Sequence, residues 1–152
     1  MPIQSLLAAD RIVLLVEPGD RDAVLDAAAR LLADAAPANT QAVAEGLRKR
    51  ERLGSTAIGH GIAIPHGRTP AFDTARGAFL RLREPVDFDA SDGQPVDLVF
   101  ALAVPEHFTQ QHLQLLAELA EQFADAGFRD ALRAAPAVGT LRALLLDAAI
   151  AP

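Results

Sequence analysis

Ile12-Val13-Leu14-Leu15-Val16-Glu17-Pro18-Gly19-Asp20-Arg21-Asp22-Ala23-Val24-Leu25 changes its hydrophobic period at Pro18-Gly19. The apolar run over residues 12–16 reads as a strand, and Glu17-Pro18-Gly19 as the turn that ends it. Asp20 is an N-cap residue, and Val24, Leu25, Ala28, Leu31 and Leu32 then recur at helical spacing. A strand passing through a tight turn into a helix is the building unit of an α/β fold. The same alternation continues downstream. Asn39 or Thr40 is placed to cap a second helix reaching about Arg52, with Gly54 as its stop. Residues 78–82 and 96–104 suit strands, with Asp92-Gly93 marking a tight turn between them. Thr109 is placed to cap a long helix with Leu113, Leu116, Ala117, Ala120 and Phe123 on one face. Two shorter helices are expected near residues 128–135 and 140–148. Residues 55–70 read mostly as loop, with Ile62 and Ile64 marking a short strand. The expected architecture is a mixed sheet sandwiched between helices, as one domain over residues 1–152.

Composition narrows the function. The chain has 152 residues, enough for one domain with a substantial core. Runs such as Ala27-Ala28-Ala29 favour closely packed helices. Lys+Arg total 14 against 20 Asp+Glu, a net charge of −6, which argues against nonspecific nucleic-acid binding. Arg48-Lys49-Arg50 with Arg52 is a local basic exception. With no cysteine, disulfides, zinc–thiolate sites and thiol catalysis are excluded. The start of the chain does not read as a signal peptide, and no stretch approaches the ~18 apolar residues of a membrane helix. The expected location is the cytoplasm, without membrane insertion.

The densest group of reactive and backbone-permissive residues is Leu53-Gly54-Ser55-Thr56-Ala57-Ile58-Gly59-His60-Gly61-Ile62-Ala63-Ile64-Pro65-His66-Gly67-Arg68. A neutral histidine is a nucleophile at physiological pH and needs no metal for that role. If it attacks a phosphoryl group, it needs one ring nitrogen oriented, cationic groups around the phosphoryl oxygens, and open access. Around His66, Pro65 restricts the preceding backbone, Gly67 leaves room for a partner's close approach, and Arg68 and Arg50 supply permanent charge. His112 falls in the first turn of the helix expected after Thr109, where anions are favoured. On pattern alone, however, His112 also reads as a surface helix residue, and Arg48-Lys49-Arg50 as a solvated face. His60 and His107 read as incidental or supporting.

Arg50-Glu51-Arg52-Leu53-Gly54-Ser55-Thr56 followed by Gly59-His60-Gly61-Ile62-Ala63-Ile64-Pro65-His66-Gly67-Arg68 resembles the active-site signature of type-2 IIA domains of the phosphotransferase system. These include fructose, mannitol and nitrogen-regulatory members. The likeness continues through Phe88-Asp89-Ala90, Asp92-Gly93-Gln94-Pro95-Val96-Asp97-Leu98-Val99-Phe100, Val104-Pro105-Glu106 and Gln111-His112-Leu113. The resemblance implies a mainly five-stranded mixed sheet between helices and a phosphorylated histidine at His66. It implies an arginine at the phosphate, Arg50, and a helix histidine that supports the active one, His112. Arg68, Ser55 and Thr56 are further candidates for the phosphate site. Mannitol-type members carry a glutamate where this chain has His60, so no acidic role carries over there. Leu53-Gly54-Ser55-Thr56 and Phe88-Asp89-Ala90 are most similar to nitrogen-regulatory members.

That reading implies a phosphocarrier charged by an HPr-like protein, with no metal and no organic cofactor. Its phosphorylation state would control regulatory targets such as potassium-transport or sensor proteins. A fructose-type component passing phosphate to a IIB domain is the alternative within the family. Outside it stand a binding module never phosphorylated on His66 and a metal-dependent hydrolase using the four histidines. His107 and His112 would lie about 140° apart on a helix, and no HExxH motif is present, which weighs against the hydrolase.

Overall fold

The computed structural model describes residues 5–107 and 110–146, apart from the side chains of Gln111 and His112. The order is a short 3-10 turn, β1 (Ile12–Leu15), α1 (Arg21–Leu32), α2 (Pro37–Leu53), β2 (Ala57–Gly59), β3 (Ile62–Ala63), β4 (His66–Thr69), β5 (Arg76–Val86), β6 (Val96–Pro105), α3 (Gln110–Ala124), α4 (Ala126–Ala134) and α5 (Val138–Leu146). No helix among the described residues is long and apolar enough to cross a membrane.

The sheet runs β1-β5-β6-β3-β2. β1 lies parallel to β5, β5 antiparallel to β6, and β2 antiparallel to β3. β3 and β4 share one edge of β6 and are both parallel to it, β3 beside Leu98 and Val99, β4 beside residues 102–105. The sheet therefore has six strands in five lateral positions, the interruption falling at Ile64-Pro65.

Helices cover both faces. α1 and α2 pack Val24, Leu25, Ala28, Leu32, Val43 and Leu47 against the small side of the sheet, where Ala78, Ala101 and Ala103 project. The layer of α3, α4 and α5 packs Leu115, Leu119, Phe123, Leu132, Leu141 and Leu145 against Phe79, Phe100 and Leu102. Phe123 stacks on Phe79 at 6.2 Å between centroids and meets Phe100 edge-on at 6.0 Å. Because β6 is covered on both faces, all but one of its residues are buried, which explains the apolar run there.

Several local expectations hold. Asp20 caps α1, its carboxylate accepting the Ala23 N–H at 2.9 Å. Gly54, at φ 155°, terminates α2. Others are corrected. α2 begins at Pro37, not at Asn39 or Thr40: proline's fixed φ suits the first helical position, and the Thr40 hydroxyl donates to the Ala36 carbonyl instead of capping. Residues 57–69 hold three short strands, not mostly loop: β3 and β4 pair with the distant β6, and β2 forms a hairpin with β3. β5 extends over Arg76–Val86, beyond the expected 78–82. The buried face of α3 is Leu115, Leu119 and Phe123, while Leu113 is 69% exposed. The proposed Thr109 cap and the end of the last helix at residue 148 lie outside the described residues.

Candidate active site

The site is built where the β3–β4 line breaks. Pro65 has no N–H to give to a ladder. Its carbonyl accepts the Leu102 N–H at 2.8 Å, and the Ile64 N–H turns to the Thr56 carbonyl at 3.0 Å. The Ile64 carbonyl accepts a hydrogen bond from His66 Nδ1 at 2.8 Å. A carbonyl can only accept, so Nδ1 carries the proton, and in the neutral ring the lone pair is on Nε2. Burial lowers the His66 pKa below its ordinary value of 6.5; the Ile64 bond opposes this, the Arg50 charge adds to the lowering, and Glu51 opposes it. The neutral, nucleophilic form is thus favoured near pH 7.

His66 and Arg68 lie on one face of β4 by the two-residue period of a strand. Their register partners, Leu102 and Val104, belong to the core under α3, α4 and α5. Arg68 is exposed. His112 is in the first turn of α3, in the helix layer on that side of the sheet; its side chain lies outside the described residues. Gly67 faces the other way and is buried. A Cβ placed on it would lie 2.6 Å from the Gly46 carbonyl carbon of α2. The close approach expected at Gly67 is therefore made by the protein's own helix, not by a partner.

That helix delivers two charged side chains. Arg50, in the last turn of α2, donates to the Gly54 carbonyl at 2.8 Å, so the guanidinium sits at the helix C-terminus near His66. Glu51 is 5% exposed, and its carboxylate accepts the Thr56 N–H at 2.8 Å and the Thr56 hydroxyl at 2.7 Å. Ser55 Oγ donates to the Phe88 carbonyl and accepts the Ala57 N–H at 3.1 Å. The Ser55 and Thr56 hydroxyls thus hold the loop entering β2. Arg48 pairs with Asp26 of α1 at 2.6 Å and does not join the site.

The other histidines lie elsewhere in the fold. His60, at φ 58°, forms the tip of the β2–β3 hairpin with Gly61 at φ 77°, as in a type I′ turn. The Asp92 carboxylate accepts its N–H at 3.0 Å, and Arg133 donates to its carbonyl. His107 is exposed in the turn after β6, not on α3. Among the described residues no group of three or more His, Cys, Asp or Glu is arranged to hold a metal ion.

Two site residues escape pattern reading. Glu51 continues the buried stripe of α2, following Val43 and Leu47 at intervals of four, and a carboxylate at an apolar position was the available signal. Gly46, in the middle of a helix, was the signal for a close crossing.

Comparison with known proteins places the chain as a whole. Residues 5–148 match the family described as "Phosphoenolpyruvate-dependent sugar phosphotransferase system, EIIA 2". The chain is 42% identical over 146 residues to a nitrogen regulatory protein of Pseudomonas aeruginosa, covering 95% of each. It is 38% identical over 120 residues to the fructose-specific EIIABC component of Bacillus subtilis, covering 78% of this chain and 19% of that protein. The crystal structure of nitrogen regulatory protein IIA-Ntr from Neisseria meningitidis superimposes with a TM-score of 0.84 at 42% identity, covering 94% of this chain and 98% of that one. With the family model matched over most of its length and a relative 42% identical over 95% of both chains, the chain belongs to the EIIA type-2 family of the phosphotransferase system.

Proposed function

We propose that the chain, taken as one unit over residues 1–152, is a cytoplasmic phosphocarrier that accepts a phosphoryl group on Nε2 of His66 from an HPr-like protein. The observation that carries this reading is the 2.8 Å bond from His66 Nδ1 to the Ile64 carbonyl, which leaves the nucleophilic lone pair on Nε2. In the transfer, Nε2 attacks phosphorus in line, the N–P bond to the donor's histidine breaks, and the electron pair returns to the donor ring. Arg50 and Arg68 offset charge on the equatorial oxygens. Ser55 and Thr56 contribute by shaping the loop beside the phosphate. His112 supports the phosphorylated ring from the first turn of α3. No metal or organic cofactor takes part.

The output is regulatory in this reading: phosphorylated and unphosphorylated forms bind different targets, such as potassium-transport or sensor proteins. Support comes from the nitrogen regulatory proteins that match over nearly their whole length. A second reading, transfer onward to a sugar-type IIB domain, is favoured by the likeness to the fructose-specific component.

The test is mass spectrometry after incubation with Enzyme I, an HPr homologue and phosphoenolpyruvate, kept at neutral or basic pH because a phosphoramidate is acid-labile. Wild type gains one phosphoryl group and His66→Ala gains none while remaining folded. Phosphate persisting on His66→Ala would overturn the assignment. Onward transfer to a purified IIB domain would favour the sugar-type reading.

A further inference from the structure

We propose that the buried carboxylate of Glu51 is a positioning group for His66, acting through Thr56 and Ile64 to fix which ring nitrogen of His66 bears the proton. The proposal deepens the phosphocarrier reading and rests on it for its effect on transfer.

The four residues form one continuous hydrogen-bonded line. Glu51 accepts both the N–H and the hydroxyl of Thr56, at 2.8 and 2.7 Å. The Thr56 carbonyl accepts the Ile64 N–H at 3.0 Å. The Ile64 carbonyl accepts His66 Nδ1–H at 2.8 Å. Every link runs in the same sense, with each donor pointing back toward the carboxylate. An ionised acceptor at the head makes the first bonds charge-assisted, and the later links pass on position, since the N–H and C=O of Thr56 and of Ile64 belong to different peptide groups.

A carboxylate at this position has a cost. Position 51 lies on the buried stripe of α2 with Val43 and Leu47, where an apolar side chain would avoid the desolvation penalty. What the carboxylate supplies is a two-point grip on Thr56. Thr56 lies just outside the last β2–β3 register pair, Ala57 with Ala63, so its carbonyl sets where the Ile64 peptide sits. The far end of the same hairpin is held separately by Asp92 and Arg133 at His60. With both ends pinned, the Ile64 carbonyl is presented to the ring of His66 in one place. Consistent with this proximity, the Glu51 charge acts on His66 to raise its pKa, against the net lowering.

The test reads the ring directly. Nitrogen-15 NMR of the unphosphorylated protein distinguishes a protonated from a lone-pair ring nitrogen, and His66→Ala assigns the signals. Wild type shows Nδ1 protonated. Glu51→Leu removes both contacts and shifts the ring toward the Nε2–H form. It also slows phosphorylation by up to about a hundredfold, the scale on which a misplaced reacting group loses rate. Glu51→Gln can accept from the Thr56 N–H and donate to its hydroxyl oxygen, so it keeps the wild-type tautomer. Thr56→Val loses one contact and shifts the ring partway, and Thr56→Ser restores it. If Glu51→Leu does not fold, the Thr56 pair decides. A folded Glu51→Leu or Thr56→Val protein with wild-type ring nitrogens overturns the proposal. The tautomer is measured without any phosphoryl donor. A responsive tautomer in a protein never phosphorylated therefore upholds the positioning role and refutes the phosphocarrier reading. A phosphorylated protein with an unresponsive tautomer does the reverse.

Discussion

Replacing Gly46 by alanine sets two effects of opposite sign against each other. In an open helix interior the change is favourable by about 1 kcal/mol, because glycine is the poorer helix former. At this position, however, the new Cβ would stand 2.7 Å from the Arg68 carbonyl oxygen of β4. An ordinary C···O approach is about 3.3–3.6 Å, so α2 must back away by roughly 0.6–0.9 Å. The obstacle is backbone paired to β6 and cannot rotate aside. Overpacking of this kind costs about 1–3 kcal/mol, which leaves a net destabilisation of about 0–2 kcal/mol after the propensity gain. For a chain of this size that is a fall in Tm of up to about 8 °C.

The larger effect falls on the site. Arg50 lies one helical turn beyond Gly46 and moves with α2, as does Glu51. A misplacement approaching 1 Å can cost about a hundredfold in rate, so phosphoryl transfer should slow by about ten- to a hundredfold. Thermal unfolding by circular dichroism and single-turnover transfer from a phosphorylated HPr homologue measure the two effects separately. A Gly46→Ala protein that melts above wild type and transfers at the wild-type rate would refute the reasoning, showing that the helix–strand contact is loose and does not locate Arg50.

Arg50→Lys should slow transfer, because an ammonium lacks the planar fork that grips two phosphate oxygens, and Arg50→Ala should slow it further, by about a hundredfold or more. Unchanged single-turnover rates in both would make Arg50 a helix cap only. With the His66 pKa held below 6.5, transfer should be level through neutral pH and fall only on the acid side of that value. Stability linked to His66 should follow the same sign, present in full above the unfolded pKa and lost as pH falls below it, since the unfolded chain then binds the proton more readily. An NMR titration placing His66 at or above 6.5 would contradict both statements. His112→Ala should leave phosphorylation possible but shift its equilibrium against the HPr homologue by about ten- to a hundredfold, with partial recovery in His112→Gln, which keeps a donor. Three equal equilibrium constants would make His112 a surface helix residue.

Elements governed by local rules were legible in the sequence. Asp20 announces α1 because capping is a contact between neighbours, and β6 reads as doubly buried because its apolar run is nearly unbroken. The family signature pointed to His66, Arg50 and His112 before any coordinates. What was not legible depends on distant partners. β3 and β4 are two and four residues long, too short for a period, and become strands only by pairing with β6. Leu113, Leu115 and Leu116 crowd one turn of α3, so spacing offers more than one apolar face. The packing of Phe123 against Phe79 and Phe100 selects the one through Leu115 and Leu119. Ser55 and Thr56 carry hydroxyls suited to phosphate, and only the coordinates reveal that Phe88 and Glu51 engage them.

In the phosphocarrier reading, a carrier histidine must be nucleophilic enough to take a phosphoryl group yet able to give it up, and opposed influences act on His66. Burial and Arg50 favour the neutral ring, while the Ile64 carbonyl and Glu51 favour its protonation. If only the first pair acted, the ring would be available but a poor base; if only the second, it would be basic but more often protonated. Arg50 and Glu51 are adjacent on one helical turn, so the Gly46–Gly67 crossing that brings one to the site brings the other. The glycines at the crossing therefore fix where both charges stand as well as how α2 packs on β4.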